Sequence, residues 1–127
     1  MARTIGGTDV GRAIADALRD YTEEVSEAIR KEVDDAATDI KRTIQTTAPA
    51  DTGKYRKGWR IHKRDSKGVT SRTVHNAKVP GLPHLLEHGH AKRGGGRVAA
   101  RPHIARAAEP RLKEMEENIK QIIENGG

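Results

Sequence analysis

Apolar residues recur at helical spacing from near the start of the chain. Val10, Ile14, Leu18, Tyr21, Val25, Ile29, Val33, Ala37, Ile40 and Ile44 follow one another at steps of three or four. One face of an α-helix repeats at that spacing, so the pattern predicts a single long helix over residues 8–47. Several positions repeat at eleven, such as Val10 with Tyr21 and Ile14 with Val25, which keeps the stripe nearly straight along the helix. Thr8 or Asp9 can cap its start, and Pro49 ends it because proline disfavours helix at the residue before it, Ala48. Such a helix would be roughly 60 Å long at about 1.5 Å per residue, whereas a compact domain of this size has a gyration radius of about 14 Å. Part of it is therefore expected to project or to lie on another chain, the alternative being a kinked pair of helices folded over a sheet. On the first reading Val10, Ile14, Leu18, Tyr21, Val25 and Ile29 are the candidate oligomer interface.

After Pro49 the period changes. Asp51-Thr52-Gly53 is a turn signal, and Lys54 to Lys57 fit one helical turn. From Gly58 to Arg64 the residues alternate, with Trp59 and Ile61 pointing one way and Arg60, His62 and Arg64 the other, as in a half-buried strand. Asp65 to Gly68 reads as a hairpin loop and Val69 to Asn76 as the returning strand. Leu82, Leu85 and Leu86 share a face of a short helix, with Pro83 in its first turn. Glycines at 89, 94, 95 and 96 make 89–97 a flexible loop, and Val98 to Arg101 fit a short third strand. Pro102 opens a second helical region with the stripe Ile104, Ala108, Leu112, Met115, Ile119, Ile122 and Ile123, which Pro110 should kink or restart. The predicted fold is α+β in one domain: a long N-terminal helix, a basic antiparallel sheet region of about three strands (50–101), a short helix within it, and a C-terminal helix (102–124).

Composition changes this picture in one respect. Val, Ile and Leu number 22 of 127 residues, Phe is absent, and the aromatics are Trp59, Tyr21 and Tyr55. That is thin material for a core and approaches the composition of disordered chains, which lack such periodicity. A protein that completes its core against partner subunits reconciles the two. There is no cysteine, hence no disulfide, thiolate nucleophile or thiolate metal site. The first residues hold no apolar run of signal-peptide length, and no stretch approaches the ~18 apolar residues that span a bilayer, so a soluble protein made in the cytoplasm is expected. The net charge of +6 is uneven: −4 over residues 1–51, +12 over 52–106 and −2 over 107–127. Either the acidic helices neutralise the basic middle, within the chain or between chains, or the basic middle binds nucleic acid or another anion.

Candidate chemistry is sparse. His84, Glu87, His88 and His90 form the one metal-like cluster, but Leu85 stands where a zinc-protease helix needs glutamate. Ser26, Ser66 and Ser71 do not sit in nucleophile-elbow sequences. The glycine-rich run from Lys92 to Arg97 lacks the ending of a phosphate loop. No catalytic, cofactor or metal site is assigned. Arg60 and Arg64 on the strand and Lys92, Arg93 and Arg97 in the loop are the candidate contacts to DNA or to an acidic partner.

Three blocks, read in order, resemble one family: Ala48-Pro49-Ala50-Asp51-Thr52-Gly53-Lys54 after the long helix, Leu85-Leu86-Glu87-His88-Gly89-His90, and Ala100-Arg101-Pro102-His103-Ile104 before the last helix. The order is similar to that of the small head–tail joining proteins of long-tailed DNA bacteriophages, known as neck, tail-completion or tail-component proteins. His103 stands where the family tends to have an aromatic, Arg106 where it often has proline, and His90 where a small hydroxyl residue is usual. The resemblance implies a non-enzymatic virion protein without cofactors. It implies a cyclic homo-oligomer, six-fold by analogy, at the head–tail junction, bound to the connector on one side and the tail on the other around the DNA channel. A nonspecific nucleic-acid-binding protein using residues 52–106 is the alternative. In the resembling blocks Asp51, Gly53, Glu87, Gly89, Arg101 and Pro102 have structural roles: Asp51 and Gly53 turn the chain from helix to sheet, and Glu87 is expected to pair with a base such as Arg101.

Overall fold

The computed structural model describes residues 3–6, 12–16, 21–48, 53–66 and 68–126, with side chains from Tyr21 onward. Strands β1 (Arg3–Gly6) and β2 (Arg12–Asp16) precede helix α1 (Glu23–Thr47) and the single turn α2 (Lys54–Lys57). The hairpin β3 (Trp59–Ser66) and β4 (Val69–Asn76) follows, then α3 (Leu82–His88), the two-residue strands β5 (His90–Ala91) and β6 (Arg97–Val98), and α4 (Ile104–Asn125). The α+β class, the long N-terminal helix, the antiparallel sheet, the short helix and the C-terminal helix are as expected.

The hairpin forms for the reasons the alternation suggests. Trp59 pairs with Asn76, Ile61 with Val74 and Ser66 with Val69, and Gly68 takes the φ of +82° that a tight hairpin connection requires. The sheet runs in the order β1-β2-β4-β3, antiparallel throughout, while β5 and β6 form a separate ladder. Side chains alternate across a strand, so Thr70, Arg72, Val74 and Asn76 share the face turned to the helices, and all four are buried. The opposite face carries Arg60, His62 and Arg64 of β3, all exposed, beside Ser71, Thr73 and His75 of β4.

β3 is an edge strand. Gly58 accepts a hydrogen bond from the Ala77 backbone at 2.9 Å. Hydrogen-bonded pairs alternate along an antiparallel ladder, so the backbone groups of Trp59, Ile61, Lys63 and Asp65 point outward from the sheet. The Arg60 guanidinium folds back over the start of this edge and donates to the carbonyls of Trp59 at 2.8 Å and Lys57 at 2.6 Å.

The long helix is shorter than its periodicity suggests. α1 starts at Glu23, where Thr22 adopts extended φ/ψ and its hydroxyl accepts from the Val25 N–H at 3.3 Å. Residues 12–16 are a strand paired with β4, so Ile14 does not continue the helix. At 25 residues α1 spans about 37 Å. Its stripe does not project. Val25, Ile29, Val33, Ala36, Ala37, Ile40 and Ile44 are buried between the sheet and α4, in one core with Tyr55, Trp59, Val74, Ile104, Leu112, Met115 and Ile119. Val25 and Ile29, expected at an interface between chains, thus face the chain's own core, and Tyr21 packs partly buried against it. The side chains of Val10, Ile14 and Leu18 lie outside the described residues.

Two further expectations change. α4 is one helix with Pro110 inside it rather than two pieces. Pro110 and Arg106, four residues before it, are both exposed, so the break in the helical ladder falls on the outer side of α4. The third strand shrinks to Arg97–Val98 and pairs with His90–Ala91 instead of joining the main sheet. The loop expected over 89–97 is thereby a short hairpin with the cationic glycine run at its tip.

Candidate functional site

The second and third motif blocks meet at the start of α4, and Tyr55, just after the first block, reaches the same place. Gly53 sits at φ +76°, a left-handed conformation that turns the chain into α2; Asp51 lies outside the described residues. The turn places Tyr55 in the core, 2% exposed, with its ring edge-on to Trp59 at 5.5 Å. Asn76, at the end of β4, donates to the Tyr55 carbonyl at 2.7 Å and accepts from the N–H groups of Lys78 and Val79. One buried amide therefore joins sheet, α2 and the following turn.

Glu87 works differently from the expected ion pair with Arg101. Its carboxylate reaches from α3 to the first turn of α4. Oε1 accepts from the His103 and Ile104 N–H groups at 2.9 and 3.0 Å, and Oε2 from Ala105 at 2.9 Å. The first N–H groups of a helix have no internal partner and carry its positive dipole end, so a carboxylate there meets both needs. Burial pushes the Glu87 carboxyl up, but the three backbone donors outweigh it and hold the group below the usual carboxylate range. Arg101 points into solvent, and its backbone N–H donates to the Leu86 carbonyl at 2.6 Å. Pro102 follows it at the approach to the helix.

His103 completes the knot. Nδ1 lies 3.0 Å from the Arg101 carbonyl, which can only accept, so Nδ1 is the donor. In the neutral ring Nε2 then accepts from the Tyr55 hydroxyl at 2.6 Å. Burial, and then the charge of Glu87, push the Tyr55 phenol far above its ordinary range, so it keeps the proton it donates. Gly89, at φ +73°, lets β6 pass close: a Cβ there would stand 2.6 Å from the Val98 carbonyl oxygen and 3.0 Å from the Ala100 nitrogen. Sequence reasoning missed Tyr55 and His103 as partners. The available signal was a histidine at a position otherwise aromatic, just before a helix.

Two charged clusters brace the layers. Arg72, buried on β4, donates to Asp34 of α1 at 2.5 Å and to Asp65 of β3 at 2.8 Å, and Asp65 also accepts from Thr70. Arg72 holds Asp65 below the usual carboxylate range, with Thr70 adding to the effect. Arg111 of α4 donates to Glu32 and Asp39 of α1, each at 2.8 Å. Internal neutralisation of the basic middle runs through Arg72 and, at 3.6 Å from Asp34, Lys63. Much of that middle stays on the surface. Among the described residues of 53–106, twelve lysine and arginine side chains are exposed, Arg60, Arg64, Lys92, Arg93 and Arg97 among them. The one exposed carboxylate of that stretch is Asp65, already bound by Arg72.

Comparison with known families places this arrangement. The family described as "Bacteriophage HK97-gp10, putative tail-component" matches residues 12–89, from β2 through α3 to Gly89. The match covers more than half of the chain and contains the first motif block and the second as far as Gly89, and the chain belongs to this family. No curated protein and no solved structure matches it.

Proposed function

We propose that this chain is a structural, non-catalytic protein of the phage virion that closes into a ring of identical subunits, six by family analogy, at the junction of head and tail. One face of the ring would bind the portal-side connector, the other the tail, with DNA passing through the middle. Membership of a phage tail-component family carries the reading. The structure adds a constraint on how subunits would meet. The helix stripe is used inside the chain, so contacts between described surfaces would be polar. The exposed cations of 53–106, on the outer sheet face and the β5–β6 tip, suit the acidic outer surfaces of α1 and α4 on a neighbour, or an acidic partner. Closed symmetry is the usual outcome of such repeated contacts between identical chains.

The same cations favour a second reading, nonspecific binding of DNA through its phosphates. One set of experiments separates the two. Mass photometry and negative-stain microscopy of the purified chain, alone and with its connector and tail partners, should show rings or ring-bearing complexes. A folded monomer that joins neither partner would sink the ring. Titration with a DNA duplex at low salt should then show whether the monomer binds, with affinity falling steeply as salt rises.

A further inference from the structure

The buried and half-buried charged and polar groups at the joints described above are internally satisfied: Arg72 and Arg111 by carboxylates, Glu87 by backbone donors, His103 by Tyr55 and a carbonyl. The pair His84 and His88 is not. Both lie on α3 one helical turn apart, both are exposed, and Glu87 between them is engaged at α4. Their ring centres are 4.8 Å apart with the planes inclined at 55°.

That spacing can be compared with what a shared ion demands. A metal–imidazole bond of about 2.1 Å plus about 1.1 Å from nitrogen to ring centre puts each centre about 3.2 Å from the metal. Two ligands at an angle of about 90–110° then have ring centres about 4.5–5.2 Å apart. The observed separation falls inside this window without any movement of α3. Imidazole suits zinc, copper and nickel, whereas magnesium and calcium prefer oxygen.

We propose that His84 and His88 form a two-imidazole clamp for a divalent first-row transition-metal ion, Zn(II), Ni(II) or Cu(II). No group of three or more His, Cys, Asp or Glu among the described residues is placed to hold a metal. The clamp therefore supplies two ligands and leaves the remaining positions to water or to a side chain of a neighbouring molecule. The site lies on α3 and does not depend on ring formation.

The test uses the full chain stripped with a chelator and titrated calorimetrically with Zn(II), Ni(II) or Cu(II). Saturable binding of one ion per chain is expected, reversed by the chelator. Cu(II) bound at the site should show electron-spin coupling to two nitrogens. His84→Ala and His88→Ala each remove one of the two protein ligands and should weaken binding by at least the roughly tenfold that loss of a mere supporting partner costs a metal site, while His90→Ala and His62→Ala leave it unchanged. Both clamp residues are exposed, so an unaltered circular dichroism spectrum will identify folded variants. Absence of saturable binding at millimolar metal, or equal affinity in folded His84→Ala, would overturn the clamp. Binding lost only in His62→Ala would do the same.

Discussion

Replacing Glu87 tests the central joint of the structure. The side chain is about one-tenth exposed and satisfies three N–H groups that the first turn of α4 cannot satisfy itself. Charge-assisted hydrogen bonds contribute about 1.5–3 kcal/mol each before desolvation is counted, and removing a single N-cap costs about 0.5–2 kcal/mol. Allowing for the burial of the carboxylate, Glu87→Ala should lose about 3 kcal/mol. Glu87→Gln keeps the shape and one carbonyl acceptor but turns an amide toward a backbone donor, and should lose about 1–2 kcal/mol. A chain of this length shifts its melting temperature by about 4 °C per kcal/mol, so the expected drops are about 12 °C and about 4–8 °C. The pH dependence distinguishes charge from shape. The Glu87 carboxyl is held low in the folded state, so its contribution is complete above the ordinary carboxylate value of about 4.3 and fades as pH falls through the lower folded value. Calorimetry from pH 7 to pH 3 should show the gap between wild type and Glu87→Gln constant near neutrality and closing in acid. Equal melting temperatures at pH 7, or a gap indifferent to pH, would refute the capping role.

Other positions follow from the same geometry. Gly89→Ala meets backbone at 2.6 Å from a residue with positive φ and should cost about 3 kcal/mol in urea unfolding. Gly94→Ala meets nothing within 4 Å and should stay within about 0.5 kcal/mol of wild type. Tyr55→Phe strands the buried His103 Nε2 and should cost about 1–2 kcal/mol, read by thermal melting. Arg72→Ala removes the buried cation joining α1 to the hairpin. It should cost about 3 kcal/mol, and Asp65, released, should titrate closer to the ordinary carboxylate range by NMR.

The hairpin was legible because its cause is local: alternation from Trp59 to Arg64 and a glycine where the connection needs one. α3 and α4 were legible from their spacing. The start of α1 was not, because Ile14, Leu18 and Tyr21 happen to extend the helical step. Periodicity counts spacing and does not see where the chain leaves the helix. Thr22 followed by Glu23 and Glu24 was the signal for the true start. The covered stripe was likewise out of reach, since whether α4 lies on α1 depends on contacts such as Arg111 with Glu32, 79 residues apart. Of the proposed site residues, Gly53 and Gly89 both take the positive φ that glycine tolerates best. Glu87 is paired with a helix end instead of a side chain, because three convergent N–H groups outweigh one exposed guanidinium.

The β3 edge bears on the life of the chain before it joins a particle. An open strand edge is a template on which identical chains can add to one another and aggregate. Here Arg60 occupies the first outward carbonyls, and Lys63 and Arg64 line the stretch beyond. Two copies approaching edge to edge would bring these cations together and repel. The cations along this edge therefore guard it against strand addition by a second copy, a role separate from any contact they make with a partner.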